Sequence, residues 1–463
     1  MLGWEFPPHI SGGLGTACLG LTQGLAHHGV DVLFLVPRAH GDEDRRFATV
    51  LGGNEVAVPR RADGAGEVVL APPGAADVAA DAATDPLLAQ WAERVTVLPL
   101  DSPLVPYLTP AAYRARLQRL RATGGTEPEP SRPPAAAEAS RTPPTPAEAT
   151  ETLSFTGSYG PDLLSEVERY ARVAAQVASR EVFDVVHAHD WMTFPAAVLA
   201  ARLSGKPLVA HLHASEYDRS GENVNPMVRD LEQWGLSAAD RVICVSHFLA
   251  GLVRRRYGIA DEKIRVVHNA VTQAEQVDGW RAPRTIPEPV VLFLGRVTYQ
   301  KGPDYFLEAA ARVLRLEPNV KFVVSGSGDM LPHVVEQAAA LGIARNVHFT
   351  GFLRGKDVER MYAMADIYVM PSVSEPFGIS PLEAMASDVP VILSHQSGVA
   401  EVVRHALKVD FWDVDDIANK ILSLLRYSAL REQLRDEGRG EVRGQRWETR
   451  GRLVREIYEE LCA

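Results

Sequence analysis

The sequence predicts an α/β protein built from two doubly wound, Rossmann-like domains. Three observations carry that expectation. Short β-branched runs alternate with helical patterns almost from end to end. Most of these runs are apolar on both faces, the pattern of parallel strands covered by helices on either side. A polar stretch at 273–287, containing Gly279, Pro283 and Pro287, separates two halves each long enough to bury a core.

The first half opens near Trp4-Glu5-Phe6. A strand there would begin close to residue 1, so a few native residues are expected to be missing. A helix follows at about 13–28. Further strands are expected at 31–36, 94–98, 184–189, 207–213, 241–246 and 263–267, the second closed by Pro99, which cannot donate to a ladder. Residues 124–150 read GGTEPEPSRPPAAAEASRTPPTPAEAT, too poor in apolar residues to offset the entropy of ordering. They mark an insertion of about 108–155 inside the first domain, because strands resume after it. The second half offers strands at 290–294, 320–325, 347–350, 367–370 and 389–393. The expected division is a first domain at 1–271, a linker at 272–288, a second domain at 289–445, and a helix at 446–463 that crosses back to the first domain.

Bulk properties narrow the function. A net charge of −11 with no basic stripe argues against nucleic acid. Three scattered cysteines (Cys18, Cys244, Cys462) draw neither a disulfide framework nor a zinc pattern. No stretch reaches membrane-spanning length and no signal peptide is visible, so a soluble, cytoplasmic protein is expected. The first Lys or Arg is Arg38, which leaves the first helix without cations for an anionic lipid surface.

The most informative span is Pro371-Ser372-Val373-Ser374-Glu375-Pro376-Phe377-Gly378-Ile379-Ser380-Pro381-Leu382-Glu383. It joins a strand to a helix, with Ser380 placed as N-cap, Pro381 at the first helical position and Glu383 in a capping-box position. Two carboxylates, Glu375 and Glu383, therefore bracket a helix start whose amides suit phosphate. Glu383 has a structural alternative, bonding its own helix start. Glu375 has no such role in sequence. Gly295-Arg296-Val297-Thr298-Tyr299-Gln300-Lys301-Gly302 follows another strand, at the edge where open α/β sheets bind ligands, and brings two cations; Gly326-Ser327-Gly328 ends the next strand.

In the first half, Gly12-Gly13-Leu14-Gly15 lies between the opening strand and a helix, where backbone can approach a ligand closely. His187 and His189, then His211 and His213, pair at alternate strand positions and share faces, and Asp190 follows the first pair. A zinc site would need further ligands that no spacing supplies, so no metal is expected, and His211 reads as a structural strand residue. The acidic run Asp410–Asp416 precedes a helix and reads as a dipole complement rather than a metal site. Arg254-Arg255-Arg256 ends a helix and needs no nucleic-acid partner.

With these motifs together, the chain resembles a retaining glycosyltransferase of the GT-B type, family 4, close in motif to glycogen and starch synthases. The resemblance covers nearly all of the chain outside the Pro-rich insertion. It implies two Rossmann-like domains facing a central cleft, with the acceptor on the side of the first. It implies a metal-independent enzyme without a cofactor, whose donor is a nucleotide sugar and whose acceptor is a carbohydrate, an α-glucan favoured. It assigns Arg296 and Lys301 to the diphosphate, Glu375 to the donor sugar near the reacting carbon, and Glu383 to the ribose. Amides around Gly378, Ile379 and Ser380 would meet the distal phosphate, Gly326 would line the nucleotide-sugar site, and Gly12 and Gly13 would approach the diphosphate from the other domain. His213 would lie by the donor sugar, with Asp190 nearby. One departure is Ile10-Ser11-Gly12-Gly13-Leu14 where many bacterial glycogen synthases carry Lys-Thr-Gly-Gly-Leu, which opens the choice of nucleotide. Competing readings are transfer to a small sugar, a lipid-linked sugar or a polysaccharide, a non-catalytic sugar-nucleotide sensor, and a nucleotide-sugar epimerase. Oligomeric state is not read from the sequence.

Overall fold

The computed structural model describes residues 1–9, 12–59, 150–157, 159–160, 162–271 and 286–463. The expected strand at 94–98, most of the Pro-rich insertion and most of the expected linker lie outside the described residues.

In chain order the first half contains β1 (Leu33–Val36), β2 (Thr49–Gly52), β3 (Ala57–Pro59), β4 (Thr150–Thr152), β5 (Val186–His189), β6 (Leu208–Leu212), β7 (Arg241–Cys244) and β8 (Ile264–Val266). The order is β2-β1, then Leu2, then β5-β6-β7-β8, every pairing parallel. Leu2 bridges Leu35 on one side and Ala188 on the other, so the opening segment lies inside the sheet and joins its two parts. β3 and β4 form a separate antiparallel ribbon. Here the expected insertion boundary is corrected. Thr150–Thr152 is paired strand, with Ala57–Pro59 as its ladder partner, and Phe155 is 6% exposed in the core.

The second half contains β9 (Val290–Leu294), β10 (Lys321–Ser325), β11 (Val347–Gly351), β12 (Ile367–Met370), β13 (Val391–Ser394) and β14 (Leu407–Val409). They form one parallel sheet in the order β11-β10-β9-β12-β13-β14. Strand order reverses between β9 and β12 here, and between Leu2 and β5 in the first sheet. Such a reversal opens a crevice at the carboxyl ends of the strands.

Both faces of each sheet are covered, as doubly apolar strands require. Val291 and Phe293 of β9 pack with Phe306, Phe322 and Ile417, whereas Val290 and Leu292 pack on the opposite face with Leu382 and Met385. In the first half, Phe34 and Val209 face Leu21, Leu25 and Trp447, while Leu35 and Ala210 face Tyr170 and Phe194. Each such buried side chain contributes about 1.5–3 kcal/mol.

The helix Trp447–Cys462 lies against the first helix, Gly13–His27. The crossing is closer than side chains allow. A Cβ at Gly24 would stand 2.2 Å from the Trp447 carbonyl oxygen, and one at Gly451 would stand 2.2 Å from the Gly24 carbonyl carbon.

Candidate active site

Loops at the two strand-order reversals approach each other, close enough that the Arg296 charge after β9 acts on Asp190 after β5. On the second-half side, the loop after β9 carries Arg296 and ends in a short turn, Tyr299–Lys301. Arg296 Nη2 donates to Gln300 Oε1 at 3.2 Å. The Lys301 ammonium forms an ion pair with Glu375 from the loop after β12, with side chains 17% and 7% exposed. Two residues expected to touch different parts of one ligand therefore meet each other directly. The Glu375 backbone is fixed from both directions: its N–H donates to Gln396 O at 2.9 Å, and its carbonyl accepts from Gly398 N at 2.9 Å.

Gly326 sits at the end of β10 with φ +142°, where a Cβ would fall 1.8 Å from the Gly295 carbonyl oxygen. Close packing of two loops thus requires this glycine, beyond any ligand contact. Gly378, with φ +95°, turns the chain toward the helix Ser380–Ala386.

The capping expectation for that helix is corrected. Ile379 is the N-cap, in right-handed helical conformation and without a side-chain cap. Ser380 Oγ accepts from Tyr368 OH at 2.8 Å, and Glu383 Oε2 accepts from Tyr362 OH at 3.1 Å. Two tyrosines from neighbouring elements claim the groups that sequence spacing assigns to each other. Burial pushes the Glu383 carboxyl above its ordinary range, against the Tyr362 hydrogen bond that lowers it.

On the first-half side, Asp190 follows β5 with φ +61° and ψ 167°, a conformation that costs a non-glycine residue about 1–3 kcal/mol. Its Oδ1 accepts from His213 N at 2.6 Å and Ala214 N at 3.4 Å, so it anchors the loop that carries His213. Burial raises the Asp190 carboxyl to about 6; Arg219, those two amides and, across the gap, Arg296 pull it down. Asp190 and Arg296, from opposite halves, therefore share one electrostatic environment. His213 is half-buried and its Nε2 lies 3.0 Å from His189 Nδ1. Burial depresses it to about 3, leaving a neutral imidazole at pH 7.

All four histidines form a ladder on the face toward the helix Trp447–Cys462. His187 Nε2 lies 3.1 Å from His211 Nδ1, and His187 Nδ1 lies 2.5 Å from Tyr458 OH. His211 is a buried strand residue within this ladder. Ring nitrogens of His187, His189 and His211 fall within 4.8 Å of one another, as do ligand atoms of His247, His268 and Glu401, so by distance either trio could hold a metal. In the first trio most of these nitrogens already bond to neighbouring rings or Tyr458.

Gly12 and Gly13 begin the first helix, and a Cβ on either would meet nothing within 4 Å, so their backbone faces open space. Beside them, Glu5 Oε1 accepts from Gly15 N at 3.2 Å and Oε2 from Tyr159 OH at 3.2 Å. Glu5 is 7% exposed and escaped sequence reasoning. So did Arg219, whose guanidinium binds Glu216 at 3.1 Å, Glu232 at 2.5 Å and the Ala214 carbonyl at 2.8 Å. The i,i+3 spacing of Glu216 and Arg219 was the available signal.

Two family models match the chain: one described as Glycosyl transferases group 1 over residues 278–441, and one described as Glycosyltransferase Family 4 over residues 132–275. Among curated proteins, it is 34% identical over 236 residues to an uncharacterized glycosyltransferase of Methanocaldococcus jannaschii, covering 48% of this chain and 60% of that one. It is 31% identical over 224 residues to glycogen synthase of Mycobacterium tuberculosis, covering 48% and 54%. It is 30% identical over 311 residues to D-inositol 3-phosphate glycosyltransferase of Salinispora arenicola, covering 61% and 69%. The chain thus spans little more than half the length of the first two relatives. Among solved structures, sucrose-phosphate synthase from Thermosynechococcus elongatus superposes with a TM-score of 0.58 at 20% identity, over 75% of this chain and 92% of that one. WaaG, a glycosyltransferase involved in lipopolysaccharide biosynthesis, superposes with a TM-score of 0.59 at 14% identity, over 99% and 98%.

Proposed function

We infer the reaction from one premise: the chain belongs to the glycosyltransferases of GT-B fold. Within that family we propose that it moves a hexosyl unit, glucose foremost, from ADP- or UDP-glucose to an α-glucan with retention of anomeric configuration. The observation that carries this reading is the Lys301–Glu375 pair, with Arg296 beside it, at a strand-order reversal facing Asp190 and His213.

Breaking the sugar–phosphate bond leaves negative charge on the diphosphate and positive character on the anomeric carbon. Fixed groups in a cleft that excludes water stabilise both best. In this reading the diphosphate takes Lys301 from Glu375 and engages Arg296, the two cations serving in place of a metal ion. Glu375, released from its partner, turns to the hexose hydroxyls. Neutral His213 accepts or donates a hydrogen bond at the donor sugar, and Asp190 holds its loop in place. Glu383 takes the ribose hydroxyls, the backbone at Gly378, Ile379 and Ser380 the distal phosphate, and Gly12 and Gly13 the diphosphate from the opposite side. Gly326 keeps the neighbouring loop close. In front-side attack, the bond from anomeric carbon to phosphate oxygen breaks as the acceptor oxygen bonds the same face, and the acceptor proton passes to the departing phosphate oxygen.

A cytoplasmic location is part of the proposal; among the described residues no helix is long and apolar enough to cross a membrane. The match to D-inositol 3-phosphate glycosyltransferase, longer than that to glycogen synthase, favours a small polyol acceptor as second reading. One experiment separates them. Bound donor raises stability by mass action, so a thermal-shift screen over ADP-, UDP- and GDP-sugars selects the nucleotide. The radiolabelled donor is then offered glycogen and a panel of small polyols. Label in the polymer supports the first reading and label in a small product the second. Binding without transfer to any acceptor would sink both.

A further inference from the structure

Among the contacts between the halves, two flank the gap. Near the join, Ser246 Oγ donates to the Pro376 carbonyl at 2.5 Å, and Glu401 accepts from His247 N at 2.9 Å, Phe248 N at 2.6 Å and His268 Nε2 at 2.9 Å. At the reacting side of the gap, Ser374 Oγ donates to Asp218 Oδ1 at 2.6 Å. Asp218 is 1% exposed and held rigidly: its Oδ2 accepts from Ser215 N at 2.9 Å and Ser215 Oγ at 2.6 Å in a capping box.

This contact joins the two loops that bear the proposed reactive groups. Ser374 directly precedes Glu375. Asp218 stands five residues after His213, on a helix, Glu216–Ser220, that packs against the Tyr299–Lys301 turn. Val373 N in turn donates to Gln300 O at 2.9 Å, tying the Ser374 loop to that same turn. On the other side, Arg219 holds the Ala214 carbonyl and Asp190 holds the His213 amide. A hydrogen bond to a buried charged acceptor is among the stronger links available, and it exists only while the halves are together.

We propose that Ser374 and Asp218 are positioning residues whose hydrogen bond latches the closed cleft and sets Glu375 at its working distance from His213. The proposal rests on the reading of Glu375 and His213 given above. Neither residue touches the reacting atoms, so the latch acts on turnover and on the separation of the halves rather than on donor affinity.

Ser374→Ala removes the donor without disturbing the Asp218 capping box, and Ser374→Thr restores a hydroxyl. With the exposed Cys462 changed to serine, cysteines at the exposed positions Val182 and Leu316 carry a fluorescent pair that reports separation without substrate. The expected result is a longer mean separation in Ser374→Ala and about a ten-fold fall in kcat, the scale of one hydrogen bond to a charged acceptor, with donor KM little changed. Ser374→Thr should recover both, and Ser374→Ala should cost nothing further in an Asp218→Ala background, where the acceptor is gone. Wild-type separation together with wild-type kcat in Ser374→Ala overturns the latch. A kcat loss matched by weaker donor binding, with separation unchanged, overturns it too, because the serine then merely shapes the donor pocket. If wild-type protein transfers no sugar from any donor, the reading of the site fails, and the separation measurement alone decides the latch.

Discussion

Replacing Lys301 with alanine should produce two effects that separate cleanly. Turnover should fall by roughly 10²–10³-fold, about 3–4 kcal/mol, the usual cost of deleting one preorganised group that stabilises developing charge. Stability should also fall, because Glu375 is left with its side chain 7% exposed and its cation gone. A fully buried carboxylate stranded in this way costs about 3–5 kcal/mol; Lys301 is itself partly in contact with water, which reduces the figure to about 1–3 kcal/mol. Urea unfolding gives the second quantity and initial rates with saturating nucleotide sugar give the first. The double variant Lys301→Ala/Glu375→Ala removes the stranded charge, so it should regain most of the stability and none of the turnover. Near-normal turnover of purified Lys301→Ala would refute the reasoning, and so would a double variant as unstable as the single one.

Arg296→Lys keeps the charge but loses the planar fork, and kcat/KM should drop by about ten-fold or more if the diphosphate contact is bidentate; an unchanged value would make Arg296 a point charge. Gly13→Ala places a methyl in open space at the first helical position, so stability should stay within about 0.5 kcal/mol of wild type while donor turnover falls. Unaltered turnover would mean the first turn does not meet the ligand. Glu232 is fully buried and its carboxyl is raised to about 7 from 4.5, first by burial. The folded state holds that proton over a range where the unfolded chain has released it. Stability is therefore intact at low pH and lost as pH rises from about 4.5 through 7, by about 3 kcal/mol at most. Glu232→Gln should gain on wild type between pH 5 and pH 8 in urea midpoints, and a constant difference would refute the assignment.

The strands easiest to read were those buried on both faces, because Val290–Leu294 or Ile367–Met370 leaves little room for another interpretation. β14 was missed because Leu-Lys-Val is too short to show a pattern, and its identity as a strand comes from pairing with β13. The gathering of Lys301 with Glu375 was legible, since each follows a strand at the same sheet edge. The capping box was not, because Tyr362 and Tyr368 reach Ser380 and Glu383 from neighbouring elements. Asp190 was legible as the residue that ends a strand, but its partners, the amides of His213 and Ala214, lie 23 and 24 residues away. Glu5 binds Tyr159 across 154 residues, a distance at which local spacing carries no information.

The seam between the first helix and the helix Trp447–Cys462 bears on synthesis. A nascent chain emerging from the ribosome makes residues 13–27 early, yet the flank that receives Trp447 stays bare until more than four hundred further residues have been added. A Cβ at Gly20 or Gly24 would collide with Trp447, so these glycines keep open the room that Trp447 later fills. The first half therefore waits, incompletely sealed, for the second half to be translated, and release of a prematurely terminated product should expose an aggregation-prone stripe along residues 13–27.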